Sequence, residues 1–295
     1  MEILDGQQRV MSLYFYYIGK FFKNDKESVF DYQEIDVESA GNFVAALEKK
    51  YEIVPTDFYM NIDKERCDIS YSRLPIELKR KVDYLVITIV EIKISNQDKK
   101  DEFLHKIFTN LNNGGEQLSP QELRNGIYPC AFNRAMKKVN ESNERWRALW
   151  GAADDKSTDL EMLYRFSALK MYVSYSKGEY KIEEYKYSTK EMLDRFAERS
   201  FSLRDEEIAT YVDSIEKFIS LLNISKEFFT KTTLLEGLYV VFEKRHFQCE
   251  ITDDICREIS GKKAFKDSTA GGTISIPNMN KRWRCIYDVL SKHDQ

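Results

Sequence analysis

The residues best suited to chemistry are the five that read Asp-Gly-Gln-Gln-Arg at positions 5–9, ahead of a predicted helix. Asp5 can be the N-cap of that helix, and Gln8, three residues later, can complete a capping box. Capping explains neither Gly6, which is costly in a first turn, nor Arg9. Free N–H groups at a helix start, together with a guanidinium, form an anion site. The pattern therefore leaves two interpretations open, a capped helix start and a phosphate site.

A second candidate is the Asn-Asn-Gly-Gly loop at 112–115, which precedes another predicted helix. In that helix Ser119 is the expected N-cap, Pro120 takes the first position and Glu122 completes a capping box. Two glycines before a capped helix can form a backbone nest for an anion, and Arg124 follows about one turn later. A plain glycine turn between two helices is the favoured alternative. The sequence contains no GxxxxGK[ST] motif, which excludes a Walker A loop.

Composition restricts the other classes of function. The 295 residues carry a net charge of −4, so nucleic acid would have to bind at a local basic patch. The five cysteines form no CxxC pair, and the three histidines do not flank them at zinc spacing, which predicts reduced thiols and no metal site. No stretch of 18 apolar residues occurs. We therefore expect a cytoplasmic protein that does not enter a membrane.

The order of predicted elements indicates an α+β protein. A small mixed α/β part occupies residues 1–128, and a mostly α-helical domain occupies residues 129–295. In the first part we expect a helix that continues to Phe22, a hairpin of 56–62 with 66–72, and a strand at 84–94, where YLVITIVEIKI is rich in β-branched residues. In the second part we expect helices at about 130–149, 159–176, 189–200, 204–223, 227–247, 251–262 and 278–292, with a loop at 262–277.

Several segments together resemble one family. EILDGQQRVMSLYFY resembles the DGQQR segment of the N-terminal domain of GmrSD-type restriction endonucleases, which is similar to ParB and sulfiredoxin. RLPIELKRKVDYLVITIVEI, IFTNLNNGGEQLSPQELRNGIY and LYRFSAL are similar to the same family, in its order. The resemblance covers about residues 1–170. It implies a ParB/sulfiredoxin-like fold for the first part and a nucleotide-binding, NTP-hydrolysing module of a defence system.

The resemblance also implies roles for particular residues. The DGQQR motif maps onto Asp5, Gly6, Gln7, Gln8 and Arg9. The NxGG loop maps onto Asn112, Gly114 and Gly115, and its following helix onto Glu122 and Arg124. The implied cofactor is Mg²⁺ with a nucleoside triphosphate. In this scheme the candidate catalytic residues are Asp5, which orients a metal-bound phosphate, and Arg9, which contacts phosphate charge. The others bind the nucleotide.

Two departures from the family pattern shape the prediction of function. The chain begins four residues before Asp5, so we expect an N-terminally incomplete domain, completed by a homodimer or by a separately encoded N-terminal or nuclease partner. No cluster of histidines suits an HNH nuclease half. The favoured function is a nucleotide-binding sensor or regulatory module of modification-dependent restriction, with weak or no NTP hydrolysis alone. The alternatives are a catalytically dead interaction protein and a module that binds the DNA backbone through basic stretches such as 281–284.

Overall fold

The computed structural model describes residues 6–23, 41–93, 103, 107, 118–152, 156–183, 185 and 188–293. The chain divides into two compact units, Met1–Ser95 and Asn96–Gln295. The predicted α+β class is confirmed, because helices dominate the described residues and the strands form small two-stranded sheets. The boundary between the units lies earlier in the chain than the predicted domain boundary at 128/129.

The first unit is a small assembly of helices and hairpins. Its elements are α1 Gln7–Ile18, β1 Lys20–Phe22, α2 Phe43–Lys50, β2 Ile53–Pro55, β3 Tyr59–Ile62, β4 Glu65–Asp68, a 3-10 turn at Tyr71–Arg73 and α3 Ile76–Asp83. Strands β1 and β2 pair antiparallel, as do β3 and β4. Asp63 and Lys64, between β3 and β4, both have positive φ, the backbone of a mirror-image turn whose twist suits a hairpin. The predicted hairpin in this region is confirmed.

The second unit is almost entirely helical. Its elements are α4 Pro120–Ile127, α5 Ala131–Ser142, α6 Glu144–Trp150, α7 Thr158–Tyr172, β5 Val173–Ser176, β6 Glu179–Ile182, α8 Thr189–Ser200, α9 Asp205–Leu221, β7 Leu222–Asn223, α10 Lys226–Phe229, α11 Thr232–Arg245, β8 Ile251–Thr252, α12 Asp253–Gly261, α13 Lys263–Thr269 and α14 Ile276–Leu290. Strands β5 and β6 form an antiparallel hairpin, whereas β7 and β8 pair in parallel.

Helix α7 lies at the centre of the second unit and packs against α4, α5, α8, α9 and α11. Because neighbours surround it, α7 is buried on several faces and carries apolar residues all round, among them Leu160, Leu163 and Phe166. Helix α11 continues the core on one side and packs against α14 through Gly237. Among the described residues, no helix has both the length and the apolar character needed to cross a membrane.

The strand predicted at 84–94 is wrong over the described residues. Residues 85–93 have no regular secondary structure, and their large side chains are exposed, Val86 to 91%. The sequence pattern indicates a high β-propensity, but a strand also needs a neighbouring strand to pair with its backbone N–H and C=O groups. No strand pairs with this segment in the part of the chain that the structure describes. The last residue of the prediction, Ile94, lies outside the described residues.

Other predicted boundaries also need correction. The first helix does not reach Phe22: it ends at Ile18, because Gly19 takes a left-handed conformation and the next three residues join a sheet. The predicted helix at 159–176 ends at Tyr172, where a hairpin begins. The predicted loop at 262–277 contains α13, a helix that its Gly, Ser and Thr content concealed. The predicted helices at 130–149 and 227–247 are each divided into two.

Candidate functional site

Helix α1 is preceded by a glycine with a left-handed backbone conformation. Gly6 is the N-cap, with φ of 84°, and its carbonyl accepts the first intrahelical bond from the Val10 N–H at 2.9 Å. The N-cap predicted at Asp5 is therefore one residue too early. With Gly6 as N-cap, the third helical position is Arg9 and not Gln8, which removes the predicted capping box. Positive φ explains why a glycine stands here, since side-chain-bearing residues rarely adopt it.

Arg9 folds back over this helix start. A Cβ placed on Gly6 would lie 3.4 Å from the Arg9 Nη2 atom, which puts the guanidinium directly beside the N-cap. The first turn of α1 carries no acidic residue, and the described residues provide no side-chain cap. The N–H groups of residues 7–9 precede the first intrahelical bond and point out of the helix end. Helix dipole, amides and guanidinium therefore all favour an anion at this point.

The rest of α1 is anchored by a small aromatic core. Phe15 is buried and packs edge-to-face against Phe22, with ring centroids 5.0 Å apart. Burial of one phenylalanine side chain contributes about 1.5–3 kcal/mol. On the other side of the helix, the Tyr16 hydroxyl donates to the Ile69 carbonyl at 2.6 Å, and the Tyr17 hydroxyl donates to the Asp83 carboxylate at 3.1 Å. These contacts fix the helix axis and so fix where its N-terminus lies.

The second predicted element, the loop of Asn112, Gly114 and Gly115, lies outside the described residues, as does Asp5. The side chains of Gln7 and Gln8 are likewise not described, although their backbone belongs to α1. The roles proposed for these residues stay predictions. The helix that follows the loop is confirmed in detail: Ser119 Oγ accepts from the Glu122 N–H at 3.2 Å, and Glu122 accepts from the Ser119 N–H at 2.6 Å.

Arg124, in α4, is held by carboxylates. Its side chain is 3% exposed, its Nε donates to Asp194 at 2.8 Å, and its Nη1 donates to Glu161 at 3.1 Å and to Gln121 at 3.2 Å. Glu161 also accepts from Arg165, so the contact belongs to a larger charged network within the second unit. In this structure Arg124 therefore locks α4 to its neighbours. Its predicted contact with phosphate stays a prediction.

Comparison with protein families gives one match. Residues 1–129 match the family described as the GmrSD restriction endonuclease, N-terminal domain. This segment is a GmrSD N-terminal domain. Neither the curated proteins nor the solved structures contain a match to the chain. The matched segment ends just after α4, so the GmrSD N-terminal domain extends beyond the first compact unit and contributes Arg124 to the core of the second.

The described residues form no metal centre, because they contain no group of three or more His, Cys, Asp or Glu side chains able to hold an ion. His246 is the C-cap of α11, with φ of 57°, and His293 lies 3.5 Å from Glu258. His105 lies outside the described residues. The predicted lack of a nuclease half therefore stays a prediction.

The basic run at 281–284, beyond the GmrSD N-terminal domain, is partly buried. Arg282 and Trp283 are core residues, and Arg282 donates to the carbonyls of Ser268 and Thr273, each at 3.2 Å. Arg282 thereby fastens the loop between α13 and α14. The two exposed members of the run are ion-paired, Lys281 with Asp267 and Arg284 with Glu179. The run therefore has a structural role that its composition did not indicate.

One cluster in the second unit was not predicted from the sequence. Arg245 ends α11, and its guanidinium carbon lies 3.6 Å from the ring centroid of Tyr287 and 4.4 Å from that of Tyr175. The three residues come from three separate elements, α11, α14 and β5. No local motif could have indicated that they meet, because only the tertiary packing of the second unit brings them together.

Proposed function

We propose that the protein is a nucleotide-binding sensor or regulatory module of a bacterial modification-dependent restriction system. The family of residues 1–129 supports the restriction context. The observation that carries the nucleotide is the position of Arg9, whose guanidinium lies beside the left-handed Gly6 at the positive end of α1. A phosphate group there can accept from the guanidinium and from the amides of residues 7–9.

The same geometry supports binding more strongly than catalysis. Arg9 and the amides of α1 contact phosphate oxygens that carry charge both before and during hydrolysis, and such uniform binding does not speed a reaction. We therefore propose weak or no NTP hydrolysis by this chain alone. Mg²⁺ would accompany a triphosphate and neutralise part of its charge, and Asp5 is the residue expected to face it. The described residues supply phosphate donors and no metal-ligand set, so the proposal concerns phosphate recognition.

Isothermal titration of Mg²⁺-ATP and Mg²⁺-GTP into the full chain tests this proposal. Arg9→Ala removes a charge-assisted hydrogen bond, worth about 1.5–3 kcal/mol, and should weaken affinity about 10- to 100-fold. Arg9→Lys keeps the positive charge but lacks the forked N–H donors of the guanidinium, so its nucleotide affinity should lie between those of the wild type and Arg9→Ala. The matched control is Arg257→Ala, which removes an exposed arginine in the middle of α12. Equal affinity of wild type and Arg9→Ala for nucleotide would contradict the proposed phosphate site. Robust steady-state phosphate release by the wild type would contradict the proposal of weak or no hydrolysis.

A second candidate function, an interaction protein, is favoured by the segment at 84–93. Tyr84, Leu85, Val86, Ile87, Ile89, Val90 and Ile92 are all exposed large hydrophobic residues in this segment. Consecutive exposed β-branched residues without a paired strand form a surface that another chain can cover by adding a strand. We propose either a second copy of this chain or a separately encoded N-terminal or nuclease partner as the occupant. Binding of the DNA backbone through the basic stretches would instead show a steep salt dependence.

A further inference from the structure

A cleft at the end of the hairpin β5–β6 brings together more cationic and hydroxyl donors than carboxylates. It encloses about 420 Å³, and its lining includes Tyr175, Lys177, Tyr180, Arg245 and Tyr287. The lining elements β5, β6, α11 and α14 all belong to the second unit. The cleft is therefore distinct from the start of α1, and an inference about it does not depend on the proposed nucleotide site.

Arg245 is the central group of this cleft. Tyr175 and Tyr287 flank its guanidinium, with ring centroids 4.4 and 3.6 Å from the guanidinium carbon. Stacked aromatic rings hold a guanidinium by its faces and leave its N–H edge available. Within the described residues, the Arg245 guanidinium makes no hydrogen bond and no ion pair. A rigid fork of N–H donors that lacks an acceptor suits a bidentate oxyanion.

Tyr180 shows the same shortage of acceptors. Its side chain is 3% exposed, and its hydroxyl oxygen has no hydrogen-bond partner among the described residues. Buried polar groups are nearly always hydrogen-bonded, and one left unsatisfied costs stability. Burial raises the pKa of the Tyr180 hydroxyl, whereas the nearby positive charge of Arg245 acts to lower it. The hydroxyl therefore stays protonated, as a donor, in the field of Arg245.

The charges of the cleft favour an anionic ligand. Lys177, Arg245 and Arg284 contribute three cations, against the two carboxylates of Glu179 and Asp288. The Glu179 carboxylate is already paired with Arg284 at 3.1 Å. Lys177 lies in the two-residue turn between β5 and β6, where its φ of 51° and the φ of 82° at Gly178 give the tight hairpin turn. The turn thus places a further ammonium group at the rim of the cleft.

We propose that this cleft is a binding site for a phosphate monoester, with Arg245 as the bidentate donor and Lys177 and Tyr180 as supporting donors. Among the described residues, Arg245, Lys177 and Tyr180 make no side-chain hydrogen bond to an acceptor, and a phosphate dianion offers three acceptor oxygens. The two tyrosine rings hold the guanidinium in place before the ligand arrives, so little rotamer entropy is lost on binding. Glu179 stays paired with Arg284 in the bound state.

Isothermal titration of inorganic phosphate and of adenosine 5′-monophosphate into the full chain tests the site. Arg245→Ala should weaken both affinities about tenfold or more, and Arg245→Lys should not restore them, because lysine lacks the planar fork. Tyr180→Phe removes one hydroxyl from the cleft and should weaken binding about three- to tenfold. Binding of inorganic phosphate as tight as that of the monophosphate would assign the affinity to the phosphate group itself.

The matched control is Arg257→Ala, which removes an exposed arginine outside the cleft and should leave phosphate binding unchanged. Protection of Arg245 from an arginine-selective dicarbonyl by phosphate, mapped by mass spectrometry, gives a readout in the wild-type protein that needs no variant. Absence of saturable phosphate binding up to about 10 mM would overturn the proposal. Unchanged affinity in both Tyr180→Phe and a folded Arg245→Ala would also overturn it, as would a lack of phosphate protection at Arg245.

Discussion

Replacement of Arg124 by methionine tests whether this residue locks α4 into the second unit. Methionine keeps the aliphatic stem but leaves Glu161 and Asp194 without their cation, 3.1 and 2.8 Å away in the wild type. Loss of one partner from a fully buried pair costs about 3–5 kcal/mol. The two carboxylate side chains are 20% and 26% exposed, so water can partly replace the cation. We therefore expect a loss of about 2–4 kcal/mol in the free energy of unfolding.

Urea unfolding followed by tryptophan fluorescence measures this loss, because all three tryptophans, Trp146, Trp150 and Trp283, lie in the second unit. With a slope of about 2–3 kcal/mol per M, the midpoint should fall by about 1 M. The matched control is Arg257→Met, whose ion pair with Asp254 is exposed on both sides and should matter little. Equal midpoints for the two variants would refute the account of Arg124 as the lock of α4.

Three further predictions concern packing, thiol reactivity and association. Gly237→Ala would place a Cβ about 2.4 Å from Ile286 Cδ1. The overpacking should lower the free energy of unfolding by about 1–3 kcal/mol, and the better helix propensity of alanine should offset about 1 kcal/mol of that loss. In the same urea assay the control Gly261→Ala, whose Cβ meets open space, should be neutral or stabilising. Burial raises the pKa of the Cys256 thiol to about 12, so alkylation by iodoacetamide at pH 8 should be slow until denaturant is added; rapid labelling in native protein would contradict its burial. Val86→Lys should shift sedimentation at micromolar concentration towards the monomer, and a wild type that sediments as a monomer would remove the case for self-association through this segment.

Local features of the fold were predictable because their physics is local. The capping box of Ser119 and Glu122 depends on four consecutive residues, and the structure forms it as predicted. Helix α8 begins at Thr189 and ends at Ser200, the predicted bounds, and in the structure the Ser188 side chain caps its start by accepting from the Glu191 N–H. The hairpin at 59–68 was likewise indicated by a polar turn between β-rich segments. In each case the sequence contains both the element and its termination signal.

Features that depend on distant partners were not predictable. Residues 84–93 have strong β-propensity, yet the described part of the chain contains no strand beside them, and propensity carries no information about a partner. Helix α13 was missed because its stability comes from packing against α14, which its polar composition does not reveal. The cluster of Tyr175, Arg245 and Tyr287 spans more than a hundred residues of sequence, and Arg245 carries no local signal.

The candidate site shows the same division. The sequence motif at 5–9 placed a glycine and an arginine at a helix start, and the structure puts the Arg9 guanidinium beside Gly6. The motif could not show which residue is the N-cap, because Asp5 and Gly6 are both common at that position and only the left-handed backbone of Gly6 decides it. Arg124 was placed near phosphate by resemblance, whereas its neighbours in the fold are carboxylates.

Hydrogen exchange at the start of α1 tests the central claim most directly. The amides of residues 7–9 precede the first intrahelical bond, so they should exchange quickly in the free protein. Mg²⁺-nucleotide at a concentration that just saturates the wild type should slow the exchange of these amides in the wild type and slow it much less in Arg9→Ala, whose affinity is lower. Amides within α5 serve as an internal reference. Nucleotide binding that protects other segments and leaves residues 7–9 unaffected would contradict a phosphate site at this helix start.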